Sequence, residues 1–146
     1  MLNARTKVRQ DVQRLLRENY PTRKKQVQIL PERIKTLEAQ LTAIRSSAAE
    51  SIGGGGSDRQ ERDIDILVQI GQFKKELTAA KLDKAVIERI LGTLTAEELL
   101  CVTLFDLERE PGALDRLCEE LHREKSSVYD VYNTARDKIA RLYWAV

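Results

Sequence analysis

Histidine occurs once, cysteine twice, proline three times and glycine seven times in 146 residues, and aromatics make up only 5%. With one histidine, no glycine-rich phosphate loop after a strand, no Ser/His/Asp set and no Cys/His cluster, no catalytic constellation is visible. The chain therefore reads as a non-enzyme with no metal and no cofactor. Cys101 and Cys118 lie in apolar helical stretches without a partner at metal spacing. They read as free, buried thiols of a reducing compartment, with a redox pair as the alternative. No apolar run approaches the ~20 residues of a membrane span. The opening MLNARTKVRQDVQRLL lacks the continuous apolar core of a signal peptide. A cytoplasmic protein without a membrane partner is expected.

What is abundant is charge, 33% of all residues, unevenly spread. Residues 1–47 carry a net +7 and residues 48–146 a net −5, beneath an overall +2. A basic first third suits a polyanionic or acidic partner, although each such charge is equally well a solvated helix face. The scarcity of aromatics leaves a core of Leu, Ile, Val and Ala, which favours helices over a sandwich or barrel.

The apolar spacing agrees. Val8, Val12, Leu15 and Leu16 recur at helical intervals among Arg5, Arg9, Arg14 and Arg17, giving a basic amphipathic helix over 1–20 that Pro21 is expected to end. Val27, Leu30, Ile34, Leu37, Leu41, Ile44 and Ala48 then keep a 3-4 rhythm, the mark of a helix-packing seam. Pro31 falls inside it, either opening a new helix or kinking a longer one, and the unbroken phase favours the kink. After the glycine-rich stretch 51–58 the seam resumes at Ile66, Ile70, Phe73, Leu77 and Ala80. Residues 21–92 are thus expected to form an antiparallel helical hairpin, a coiled-coil-like arm closed by a loop or by an engineered GGGG linker. Leu82, Val86, Ile87, Ile90 and Leu91 share a face before the stop at Gly92.

Residues 93–146 read as a separate bundle. Thr95 with Glu98 forms a capping box that opens a helix burying Leu99, Val102, Phe105 and Leu107, closed at Pro111-Gly112. Leu114, Leu117, Cys118 and Leu121 mark a short helix, and His122 stands at its end, suited to capping or to solvent. HREK is the turn. Ser127 with Asp130 offers a second capping box, ahead of the stripe Val128, Val131, Tyr132, Ala135, Ile139 and Leu142. Tyr143 and Trp144 are expected to pack back on the bundle. A short scaffold helix, a tight turn and a longer helix, with Cys118 and Ala135 small enough for a crossing, fit a helix-turn-helix. Many helical hairpins share that pattern.

Leu94, Glu97-Glu98, Val102, Leu114, Leu117, Cys118, Leu121, Val128, Ala135, Ile139 and Leu142 resemble the fourth region of sigma factors and the sigma-like helix-turn-helix regulators. The SSVY start resembles the phage late-gene transcription regulators of the RinA/ArpU type. This resemblance implies a phage or prophage transcription regulator in the bacterial host cell. Its partners would be double-stranded DNA, host RNA polymerase, and further copies of itself as a homodimer or higher oligomer. Carried over by residue, Lys125, Ser126, Ser127, Tyr129, Asp130 and Asn133 would face the groove, with Arg123, Arg136 and Lys138 near phosphates. On that reading, Asn133→Ala and Ser127→Ala would each weaken specific binding. Asp130 and Asn133 stand where such regulators often carry a base. Residues 123–146 hold only +2 and residues 106–121 hold −4, so few phosphate contacts are on offer. The rival readings are a small-terminase-like packaging recogniser and a protein-only adaptor for polymerase or another regulator.

Overall fold

The structure is a computed structural model that describes residues 3–50 and 56–145, with side-chain detail for 3–47 and 58–145. It is all-α, and no strand occurs among the described residues. Helix α1 (Ala4–Arg14) leads through a π-turn (Leu15–Asn19) into α2 (Tyr20–Glu50), and α3 covers Gly56–Leu91. Helix α4 (Ala96–Val102) ends in a second π-turn (Thr103–Leu107), followed by α5 (Ala113–Leu121) and α6 (Lys125–Trp144).

Pro21 does not end the first helix as its chemistry suggested. In the π-turn the Tyr20 N–H reaches back five residues to the Leu15 carbonyl. That wider turn alters the carbonyl register just where the proline ring would clash with the residue four back. The chain stays helical, and the Thr22 hydroxyl takes up the Glu18 carbonyl at 2.8 Å. Pro31 likewise lies inside α2. Of the glycine-rich stretch 51–58, residues from Gly56 onward already belong to α3, and residues 51–55 lie outside the described part. Gly92 ends α3 as read, its N–H bonded to the Glu88 carbonyl at 3.0 Å.

The chain divides into two compact units, 23–83 and the pair of segments 1–22 and 84–146. In the first of these, Ile34, Leu41 and Ile70 form a small core with Leu37, Ile66, Phe73 and Leu77 packed against it. Ion pairs join Arg23 to Asp83 at 2.9 Å, Glu38 to Lys74 at 3.9 Å and Arg45 to Asp63 at 3.5 Å. Early α2 therefore faces late α3, an antiparallel sense, and the 3-4 seam lies on the buried side.

The other unit joins α1 and the end of α3 to α4, α5 and α6 around one larger core. Val12, Leu15, Leu16, Ile87, Cys101, Val102, Leu104, Leu117, Val128 and Ile139 are all at most 2% exposed. The basic amphipathic first helix packs here. Arg9 bonds the Asp137 carboxylate through both Nε and an Nη at 2.9 Å. The Thr95–Glu98 capping box forms as expected. The face behind it differs from the periodic reading: Leu99 is 37% exposed, while Leu104 and Asp106 are buried. For Leu104 and Asp106 the second π-turn is the cause, because one extra residue per turn rotates everything beyond Val102 by about a quarter of the helix circumference. At the other end of the unit, Tyr143 packs on the core as expected, whereas Leu142 and Trp144 stay largely exposed.

Candidate nucleic-acid interface

Helix α5 ends at His122, which adopts a left-handed conformation (φ 52°) and sends its N–H to the Cys118 carbonyl. A non-glycine in that region costs on the order of 1 kcal/mol, so the surrounding packing holds this turn. Glu124, in extended conformation, is the N-cap of α6 and makes no side-chain cap bond. The expected Ser127–Asp130 capping box is therefore absent: α6 starts two residues before Ser127, whose position is already inside the helix. The exposed Arg123 guanidinium donates to the Ser127 hydroxyl at 2.8 Å and also pairs with Glu97 at 2.8 Å.

The nine residues singled out for DNA contact fall into three groups. Lys125, Ser126, Tyr129 and Asp130 are exposed on the leading turns of α6, at helical spacing that gives them a common side. Tyr129 stacks at 6.2 Å, nearly parallel, with Phe105 of the second π-turn. Arg123, Ser127 and Lys138 line an open cleft of about 380 Å³ that Thr95, Glu97, Glu98 and the edge residue Asp130 also border. Lys138 pairs at 2.8 Å with Glu98, which is 4% exposed. Asn133 and Arg136 are half-buried. Arg136 donates to the Asn133 side-chain oxygen and lies 4.0 Å above the Tyr132 ring. Three of the four expected phosphate or groove cations are thus held by the protein itself, and among the described residues none is seen to hold Lys125 on the leading turn.

Burial pushes the Glu98 carboxyl up, but the Lys138 ammonium and the Thr95 donors more than offset this and hold it below the ordinary value. The Arg9 guanidinium does the same for Asp137. Carboxyls depressed in the folded state stabilise it fully above their unfolded value of about 4 and lose that contribution as pH falls through the folded value. Glu98→Gln is accordingly expected to cost about 1–2 kcal/mol near neutral pH, combining a weakened cap and a lost ion pair. The deficit should narrow on acidification, as read from urea unfolding at a series of pH values. A deficit unchanged down to about pH 3 would contradict the assignment.

A group without any local signal lies beneath this surface. Asp106, fully buried, accepts from the Tyr132 hydroxyl at 2.7 Å and from Arg17 Nε at 3.0 Å. Arg17 also reaches the Phe105 carbonyl at 3.3 Å, and Gln13 donates to the Tyr132 hydroxyl at 2.9 Å. Arg17 sits in the first π-turn and Asp106 in the second, so one buried ion pair ties the two irregular turns together. Read locally, Asp106 is one acid in an apolar run. Its partners are 89 and 26 residues away, beyond any motif spacing.

Among the described residues no group of His, Cys, Asp and Glu is placed to hold a metal ion, and no helix is long and apolar enough to cross a membrane. Burial pushes the Cys101 thiol up to about 11. Comparison with protein-family models, with curated proteins and with solved structures finds no match.

Proposed function

We propose that this chain binds double-stranded DNA through a helix-turn-helix made of α5 and α6, carried behind an antiparallel helical hairpin, and regulates transcription in a phage or prophage setting within the bacterial cytoplasm. One observation carries the reading. The leading turn of α6, with Lys125, Ser126 and Tyr129, stands exposed beyond a three-residue link from the short helix α5. A recognition helix must present its N-terminal side chains in this way to enter the major groove. Lys125 would meet a phosphate, Ser126 a base edge, and Tyr129, braced by Phe105, a thymine methyl or a sugar. Asn133, engaged with Arg136, drops out of the groove-facing set on this reading.

So few free cations imply weak, salt-sensitive binding by a single copy. Fluorescence anisotropy with a labelled duplex from the gene's own upstream region tests this. Affinity should fall steeply between roughly 50 and 200 mM salt. Lys125→Glu should weaken binding to all duplexes and lower the salt slope by about one, whereas Tyr129→Ala should reduce discrimination between sequences. No binding at the lowest salt would remove DNA from the account.

A second reading, a protein-binding adaptor for polymerase or another regulator, has its own support. Glu97 and Glu98 already neutralise Arg123 and Lys138, and α5 adds the exposed acids Asp115 and Glu119, Glu120 being paired with Arg116. Such a surface suits a basic protein partner better than a polyphosphate. Complex formation that Lys125→Glu leaves intact and Glu119→Lys weakens would favour it.

A further inference from the structure

Helix α3 is apolar on two opposite sides. One is the seam against α2. On the other, Ile64 is 59% exposed, Leu67 45% and Val68 61%. At 100° per residue Ile64, Leu67, Val68 and Gly71 lie within about 60° of one line, roughly 140° around the helix from the line of Ile66, Ile70 and Phe73. Scattered surface apolars need no explanation, but a stripe at heptad spacing is the pattern of a second packing seam.

The charges along this stripe are polarised. Asp58, Glu61 and Asp65 flank its N-terminal half, and Lys74, Lys75 and Lys81 its C-terminal half, with Glu76 at the far edge. The two bases near the acidic end, Arg59 and Arg62, fall on the seam side by helical spacing, and Arg62 and Asp65 border a cleft with Gln40, Ala43 and Ile44 of α2. Such a face repels a parallel copy of itself and complements an antiparallel one. Gly71 leaves open space on the stripe: a Cβ built there would meet nothing within 4 Å.

We infer that a second copy of this chain docks on the outer face of α3, antiparallel, about a two-fold axis between Leu67 and Val68. Leu67 then meets the second copy's Val68, and Ile64 fills the notch over the second copy's Gly71. Glu61 lies against the second copy's Lys75, on the same flank of the stripe. An isologous contact of this kind closes after two copies. The stripe from Gln60 to Lys75 measures about 22 by 10 Å, less than the ~800 Å² per partner of a standard interface. The dimer is therefore weak and concentration-dependent. It stands whether or not α6 binds DNA.

Sedimentation equilibrium on the full chain, from about 1 μM to 1 mM, is the test. The wild-type chain should pass from monomer to dimer within that range. Val68→Glu, at a position with little packing to lose, should abolish the dimer while far-UV circular dichroism stays unchanged. Lys75→Glu should weaken association by about tenfold or more through like-charge contact with Glu61. Adding Glu61→Lys to that variant should restore it. A chain that stays monomeric throughout, a dimer indifferent to Val68→Glu, a species larger than a dimer, or a double variant no tighter than Lys75→Glu alone would each overturn the inference.

Discussion

Asp106→Ala should lower the free energy of unfolding by about 3–5 kcal/mol, the range seen when one partner of a buried ion pair is removed. The carboxylate is fully buried, and it is the acceptor for both the Tyr132 hydroxyl and the Arg17 guanidinium. Removing it leaves a phenol in the core with only Gln13 as partner and a guanidinium that keeps 31% of its side chain in water. That residual exposure places the expected loss at the lower end. Tyr132→Phe removes one hydroxyl and leaves the acceptor paired with Arg17, so it should cost only about 1–2 kcal/mol. Urea unfolding followed by circular dichroism measures both, and equal losses would show that Asp106 matters by volume alone. Burial holds the Asp106 carboxyl above its ordinary range, against the pull of Tyr132 and Arg17. A raised carboxyl favours folding below about pH 4 and loses that contribution as pH rises through the folded value. The trend is opposite to that of Glu98, so the Asp106→Asn deficit should be larger at acid than at neutral pH.

Leu117→Ala is the second large effect, about 2–5 kcal/mol for a buried leucine that leaves a cavity. Within α5 only Ala113 and Leu117 are fully enclosed, and Leu117 is 0% exposed. Leu114, Cys118 and Leu121 only partly cover the same core. Truncating the one large anchor of a nine-residue helix loosens α5 before the rest of the unit. The left-handed turn at His122 depends on that helix, so the leading turn of α6 loses its fixed direction with it. Amide exchange in residues 113–124 should rise well above that in α1 and α4, and DNA affinity should drop even at temperatures where the chain stays folded. Uniform exchange across the unit would show instead that α5 unfolds only with the whole.

How much of this was legible in advance follows the range of the interactions. The seam is repeated spacing along the faces of α2 and α3; Leu30, Ile34, Leu41, Ile70 and Ala80 are buried as read, while Ala48 lies outside the residues whose side chains are described. The Thr95–Glu98 cap and the stop at Gly92 also hold, both settled within four residues. The start of α6 misled because Ser127 and Asp130 have the right spacing for a cap, yet Glu124 in extended conformation opens the helix first. Among the candidate contact residues, Lys125, Ser126 and Tyr129 lie on the surface. Arg136 and Lys138 look equally available in the sequence and are taken up by Tyr132 and Glu98. Nothing local distinguishes a lysine aimed at solvent from one aimed at a buried glutamate 40 residues earlier.

Composition and spacing alone made this chain helical: too few aromatics for a sheet core, too few glycines and prolines for many turns, and apolar residues at intervals of three and four. Only the tertiary structure decided that the basic first helix packs with the last one, that Pro21 is carried inside continuous helix, and that an aspartate is buried. Helical periodicity is set by near neighbours on one turn, whereas π-turns, buried ion pairs and the pairing of cations depend on which distant segments meet.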